Sequence, residues 1–520
     1  MNPSIVAKAY RKSAFYFAVI GLIAVLQVGS CEANAAAEDY LVVSLVEKGN
    51  AYDEASVVLA RRHSCRAIRG SVDQIEKLLP QFQSRQPSHV AFIVDPSDLD
   101  VNLAGKILQV ATKVDDDPFV DFAYGFITGR TAESSLKLVR ASEPKTERKP
   151  PKIVQFGVGG KMLPKSMKQA SVLPVGNGSI PMTVFLSKGE TDEDADRPFI
   201  RESLGSLKRS PVLLLASHGY PDGLVGGLKA ADVDRLDQNG TIAVNIACYN
   251  GVTDRWFEDN WKSGKVSERR VAGGESMCLS MIDAGVAGYF ASTCPRPAGP
   301  IPFGHSISIC TQGLSLGEIM RRDLNRVVLA HLLNSHDSIQ VKPYSDGEVL
   351  AVGRTPGAVV ERMSVGGILV GDPAFVPFDR QEELEPIRTD VKLLDDRIVA
   401  DVKIRTPAFH FFAAEQINYW KDKSPALRLE ATFEIERRQP TSVLLSRSPL
   451  PDMEHRLIAA IEKYRGKRYL HAKAVFQQPE GNALQSLAMK GFGGQFVVTT
   501  DDEVRGLMQG AQVFRGDVSP

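Results

Sequence analysis

The sequence predicts an α/β protein: two consecutive parallel-sheet subdomains with helices on both faces, followed by a β-rich C-terminal domain. Three observations carry this. From Asp39 onward short apolar runs alternate with segments of helical period, and strands separated by helices of that length imply parallel βαβ units. A charged, Pro-rich stretch, "ASEPKTERKPPK" at 141–152, interrupts the alternation as a joint between two such sheets. After Phe378 the pattern changes to apolar–polar alternation with period two, as half-exposed antiparallel strands show. The expected divisions are a signal peptide at 1–37, α/β subdomains at 38–150 and 151–378, and the β-rich domain at 379–520. At 520 residues the chain is too long for one hydrophobic core, so several units are expected.

The N-terminus reads as an address. Lys8, Arg11 and Lys12 precede the apolar run "AFYFAVIGLIAVLQV", and small residues follow in "GSCEANAAAE". Cleavage after Ala33–Ala35 is favoured. Lipidation of Cys31 in "VGSC" is the alternative, and an uncleaved anchor the third, since the run is near the lower limit for spanning a bilayer. No later segment is long and apolar enough to cross a membrane, so the mature chain is expected outside the cytoplasm, secreted or in the cell envelope.

In the first subdomain "YLVVSLVE", "CRAIRG", "HVAFIVD" and "VDFAYGFITGR" read as strands. The helices between them are "YDEASVVLARRHS", "SVDQIEKLLPQFQSR" with Ser71 as N-cap, and "DLDVNLAGKILQVATKV". The second series runs "KIVQFGVGG", "SIPMTVFLSKG", a helix "FIRESLGSLKR", "PVLLLASHG", a helix "LKAADVDRLDQ" and "TIAVNIACYNG". It continues with a helix "SMCLSMIDAG", a strand "VAGYFASTC", the amphipathic helix "LSLGEIMRRDLNRVVLAHLLNS" and the strand "GGILVGDPAFVPF". Beyond it lie strands in "DVKLLDDRIVADVKIRT" and "ALRLEATFEIERR", and a helix over 452–465 closed by Gly466.

Lys plus Arg and Asp plus Glu both number 62, so the formal charge is zero and neither nucleic acid nor an anionic membrane is indicated as a partner. Six cysteines include Cys31. Its loss leaves five, an odd number that implies at least one free thiol, and a disulfide among Cys278, Cys294 and Cys310 has no spacing rule behind it. No cysteine or histidine cluster has zinc spacing, so no metal and no cofactor are expected. Nothing in the sequence fixes the oligomeric state.

Two apolar runs stand out because each ends in a reactive side chain: "PVLLLASHG" on His218 and Gly219, and "TIAVNIACYNG" on Cys248. In open α/β sheets ligands gather at the carboxyl ends of strands. Strands joined by a single crossover are neighbours, which would bring thiol and imidazole together as nucleophile and base. Gly219, lacking a Cβ, lets its backbone N–H approach a substrate carbonyl, and with the N–H of Cys248 it could form an oxyanion hole. The bland readings are an inert core thiol and a strand-to-turn junction.

The order apolar block, His-Gly, crossover, apolar block, Ala-Cys resembles the caspase-like cysteine peptidase clan, and the gingipain-type peptidases of bacteria in particular. "SMCLSMIDAGVAGYFAST", "SLGEIMRRDLN", "LVGDPAF" and "VDFAYGFITGRTAESSLKLVRASE" resemble that family's segments in the right order, over about 39–378. The resemblance implies caspase-like subdomains and an exported cysteine endopeptidase acting on proteins or peptides. It makes Cys248 the nucleophile, His218 the base and acid, Gly219 an oxyanion donor, and Ser292 and Thr293 a substrate-binding wall. That wall runs into the Pro-rich "CPRPAGPIP". The acidic pocket residue of arginine- and lysine-selecting members has no counterpart that can be placed. Asp222 and Asp283 read as a solvated loop and helix face, and Asp372 as a structural turn residue. His305, His331 and His336 read as surface or helix residues. An immunoglobulin-like sandwich often occupies the family's C-terminal place; here the helix at 452–465 and "KGFGGQF" point to an α+β version that docks beside the catalytic sheet. A catalytically silent scaffold and another thiol hydrolase or acyl transferase remain as alternatives.

Overall fold

The computed structural model describes residues 39–143, 150–158, 171–187, 207, 210–225, 227–259, 265–295, 301–334, 343–347, 366–404, 414–415, 426–436, 438–450, 453–476, 492–501 and 513–518. The signal peptide, the helix at 199–209 apart from Leu207, His336 and half of the 141–152 joint fall outside them.

Four strands open the chain: β1 (Tyr40–Ser44), β2 (Ala67–Arg69), β3 (His89–Ile93) and β4 (Ala123–Ile127). Between them lie α1 (Asp53–Arg62), a 3-10 segment (Val72–Leu78) running into α2 (Leu79–Arg85), and α3 (Val101–Ala111); α4 (Ala132–Ala141) follows β4. Asp100 caps α3 by accepting from Leu103 N. The single helix expected from Ser71 is broken at Gln74, whose backbone is non-helical, and Ser71 makes no side-chain cap. Next come β5 (Ile153–Val158), β6 (Val172–Val175), β7 (Gly178–Ser187), β8 (Val212–Ala216), the short pair β9 (Gly219–Tyr220) and β10 (Gly223–Leu224), and β11 (Ile242–Asn245). The crossover from β8 to β11 is therefore a hairpin plus one helical turn, α5 (Ala230–Val233), rather than the full helix the sequence suggested. A hairpin that periodicity did not reveal, β12 (Arg255–Asp259) and β13 (Val266–Arg270), precedes α6 (Met277–Ala284) and β14 (Gly288–Ser292). Then follow α7 (Ile301–Thr311), α8 (Leu316–Asn334) and β15 (Gly367–Gly371).

The two series are halves of one eleven-stranded sheet, in the order β2-β1-β3-β4-β15-β14-β11-β8-β5-β7-β6. β2, β1, β3 and β4 are mutually parallel, as are β14, β11, β8, β5 and β7. β15, the "GILVG" strand, runs antiparallel to β14 and meets β4 at one bridge, Val370 opposite Phe126. All five of its residues are buried, as expected of a central strand covered on both faces.

The carboxyl ends of both parallel runs lie along one edge. Thr253, beyond β11, donates to Pro96 O and Leu99 O, beyond β3, and Arg255 pairs with Asp100. At the opposite edge Asp372 caps the turn after β15, accepting from Ala374 N. It is also more than a turn residue: fully buried, it accepts from Tyr40 OH at 2.8 Å, lies 2.9 Å from His63 Nε2, and faces Arg62. Burial alone would raise its pKa, but the bonds from His63 and Tyr40 outweigh that and hold it below the ordinary value.

The C-terminal region is two antiparallel sheets. It consists of β16 (Ile387–Leu393), β17 (Arg397–Ile404), β18 (Ala414–Glu415), β19 (Ala426–Glu434), β20 (Gln439–Arg447), β21 (His455–Tyr464), β22 (Lys467–Phe476), β23 (Phe492–Asp501) and β24 (Val513–Val518). The sheet orders are β16-β17-β23-β20 and β18-β19-β22-β21-β24. The helix expected at 452–465 is instead β21, and no α-helix follows β15 among the described residues. Its apolar run belongs to a strand buried on both sides. Ile458 and Ala460 pack on Val328, Leu329 and Leu332 of α8, while Leu457, Ala459 and Ile461 join the main core. Arg465 and Gly466, both left-handed, make the hairpin turn into β22. The described part of "KGFGGQF", from Phe492 on, is also strand: a Cβ on Gly493 or Gly494 would come within 2.6 Å of the backbone of β17 or β20.

This region is joined to α8 by buried charge. Arg321 pairs with Glu318 and Glu462 and lies over the Tyr464 ring, 3.5 Å from its centroid. Asn325 donates to the same Glu462, and Arg326 pairs with Glu430. Residues 39–520 form one compact unit.

Before β4, Asp115, Asp117 and Asp121 bring carboxylate oxygens within 4.8 Å of one another. Burial first, then mutual repulsion, raises Asp117 and Asp121 well above the usual carboxylate range. The unfolded chain loses these protons near pH 4, the folded chain only at higher pH. The folded state thus holds more protons in between, and stability should fall as pH rises through that window. Asp121→Asn keeps an acceptor for the Val114 and Asp115 amides that Asp121 now binds. It should raise the melting temperature at pH 8 and leave it unchanged near pH 4; an equal gain at both values would refute the argument.

Candidate functional site

β8, β11 and β14 are neighbours in the sheet, and their carboxyl ends carry His218, Gly219, Cys248, Ser292 and Thr293. β11 pairs in parallel with β8, Ile242 opposite Val212 and Asn245 opposite Leu215, and with β14, Val244 opposite Phe290. His218 follows β8 after one intervening residue and is exposed; Cys248 stands three residues beyond β11 and is half-buried. The two loops touch. A Cβ on Gly219 would lie 2.7 Å from the Cβ of Ala247, the residue before Cys248, so only glycine fits there without displacing the cysteine turn.

The cysteine turn has its own fixed shape. Ile246 N donates to Leu215 O at 2.8 Å, continuing the ladder past β11. Ala247 N donates to the Asn245 side-chain oxygen at 2.9 Å. Tyr249 then adopts a left-handed backbone (φ 61°), uncommon outside glycine and concentrated where surrounding structure over-determines the chain. Its ring meets Trp256 edge-on at 4.6 Å. Gly251 N donates to Ser292 O at 2.7 Å, which sets the end of β14 directly beside the turn.

Three buried side chains that sequence reasoning passed over tie these loops together. Asn245 Nδ2 donates to Asn250 Oδ1 and reaches the Tyr289 hydroxyl, both at 2.8 Å. Tyr289 OH donates to Asn250 O at 3.1 Å. Asn250 Nδ2 donates to Tyr220 O, and to Gly223 O at 3.2 Å, both in the hairpin that follows His218. The sequence signal was present in the polar residues inside apolar runs, "AVNIACYN" and "AGYFAS", where a buried polar group demands a partner.

Ser292 and Thr293 are buried. Ser292 Oγ donates to Cys294 O at 2.8 Å, so its hydroxyl is engaged by its own chain; Thr293 N donates to Gly366 O at 2.9 Å. The Pro-rich loop after Pro295 falls outside the described residues. Asp222 faces Lys229 at 3.5 Å, and Asp283 pairs with Arg130 at 2.9 Å. His305 and His331 lie on helices, as expected, but both are buried rather than at the surface. No disulfide joins Cys65, Cys248, Cys278, Cys294 or Cys310. Burial pushes the Cys278 and Cys310 thiols well up, away from reactivity, and Cys294 is buried as well. The acidic cluster at 115–121, the one group of the described residues with ligand spacing for a cation, belongs to the other edge of the sheet.

No family model and no curated protein matches the chain. A solved structure described as "Structure of Protease" is similar over 93% of this chain and 98% of that one, at 9% identity and a TM-score of 0.44, a likeness too distant to carry an argument about function. Fold and site define an α/β protein with one large mixed sheet, separate C-terminal antiparallel sheets, and a thiol and an imidazole at one sheet edge. No helix among the described residues is long and apolar enough to cross a membrane.

Proposed function

We propose that the chain is an exported, gingipain-like cysteine endopeptidase. The observation that carries this is the placement of His218 and Cys248 at the carboxyl ends of two adjacent, in-register parallel strands, with Gly219 packed on Ala247. In this reading the Cys248 thiolate attacks the peptide carbonyl and forms a thioester, and His218 passes its proton to the departing amine. Water then attacks the thioester, with His218 as base, and frees the carboxylate and the thiol. The N–H groups of Gly219 and Cys248 receive the oxyanion, and the chain around Ser292 and Thr293 forms a wall of the substrate cleft. Residues 379–520 dock and stabilise the sheet from the far side of α8.

Iodoacetamide labelling followed by peptide mapping tests the thiol, and digestion of a peptide library tests the reaction class. Preferential labelling of Cys248 with cleavage of internal peptide bonds is expected. Labelling of Cys65 instead would remove the nucleophile. A labelled but inert protein would favour the scaffold reading. Export rests on the leader pattern at 1–37, and we expect envelope-derived protein to begin near Ala36. An intact mass retaining a lipid-bearing Cys31 would overturn simple cleavage.

A further inference from the structure

We propose that Asn250, with Asn245 and Tyr289, is the positioning element that sets the approach of the Cys248 thiol to the His218 imidazole, an inference that rests on the peptidase reading. Asn250 is fully buried and stands two residues after Cys248. Its Nδ2 holds two carbonyls of the hairpin that follows His218, while its Oδ1 is held by Asn245. One side chain therefore grips both loops. Asn245 in turn fixes the residue before the cysteine, through Ala247 N, and Tyr289 fixes the residue two after it, through Asn250 O.

The amide orientations follow from the partners. Asn250 Nδ2 faces two carbonyl oxygens and must be the donor, which makes its Oδ1 the acceptor for Asn245 Nδ2 and leaves Asn245 Oδ1 for the Ala247 amide. Every polar atom of the two amides and the Tyr289 hydroxyl is thereby engaged within the protein. The trio has nothing left to offer a substrate, so its action runs through the placement of Cys248 and His218. Burial holds the Tyr289 hydroxyl far above its ordinary titration range, so it remains a neutral donor. The arrangement is a strut beside the Gly219–Ala247 contact: a Cβ on Gly219 would come within 3.1 Å of the Asn250 amide as well. Removing the strut frees the loops to separate without removing any reacting group.

The test compares wild type, Asn250→Ala and Tyr289→Phe by the pH profile of iodoacetamide alkylation at Cys248 and by turnover of denatured casein. In wild type, alkylation should reach its plateau well below the ordinary thiol pKa of about 8.5. In folded Asn250→Ala the profile should move up toward that value, and casein turnover should fall by about 10²-fold, as displacement of reacting groups by roughly an ångström would produce. Tyr289→Phe should shift both in the same direction by less, and decides the matter if Asn250→Ala does not fold. A folded variant with a lowered melting temperature but the wild-type profile and turnover would overturn the positioning role while leaving the peptidase reading intact. Wild-type Cys248 that titrates as an ordinary thiol, with no casein cleavage, would overturn both.

Discussion

Cys248→Ala should cut peptide hydrolysis by about 10⁶-fold while leaving circular dichroism and the melting curve unchanged, and His218→Ala should come close to it. The size of the effect follows from the chemistry: without the thiolate there is no acyl intermediate, and without the base little thiolate and no proton for the leaving amine. The fold should tolerate the change because Cys248 is half-buried in a turn whose shape is set by Asn245, Asn250 and Tyr289 rather than by the sulfur. Other thiols offer little substitute. Cys278, Cys294 and Cys310 are buried, and Cys65 packs against the core of the first half of the sheet. Residual activity near the wild-type level in purified Cys248→Ala would end the assignment.

The second large effect concerns stability rather than rate. Glu462→Ala should destabilise the protein by about 3–5 kcal/mol, because deleting one member of a buried ion pair strands the other. Glu462 sits on β21 with its carboxylate on Arg321 and Asn325 of α8 and on His471 of β22. Burial alone would raise its pKa, but Arg321 and His471 carry it below the ordinary value, so at neutral pH the pair is ionised. Chemical denaturation measures the loss, and iodoacetamide labelling of the protein that remains folded should still find Cys248. A cost under about 1 kcal/mol, the range of exposed pairs, would show that α8 and the C-terminal sheets are coupled mainly through their apolar contact.

Much of the α/β part was legible because its strands are short apolar runs bounded by turn residues, and tertiary structure did not overrule that signal. The placement of His218 and Cys248 at neighbouring strand ends was legible for the same reason. Two of the features the sequence hid show why it hid them. The run Leu457–Ile461 is apolar without alternation, and local propensity cannot tell a helix from a strand buried on both faces. Its partners, α8 on one side and the main core on the other, decide the matter, and they lie far away in the chain. The Asn245–Asn250–Tyr289 strut was hidden because its meaning is a set of partners. Each residue taken singly looks like a turn former or a core aromatic.

The central strand β15 gives the chain an order of events. It ends the edge that β4 would otherwise expose, yet Gly367 lies 240 positions after Ile127. During synthesis, at about 5–20 residues per second, that gap corresponds to roughly 12–48 s. Throughout it β4 presents unpaired backbone amides and carbonyls, a template for any extended segment nearby. The same delay applies to Tyr40, whose buried partner Asp372 emerges 332 positions later. The nascent chain is thus an incomplete sheet until most of its length exists. The strand that closes it also brings the two parallel halves together, so the finished cleft edge and the closed sheet arrive as one late step.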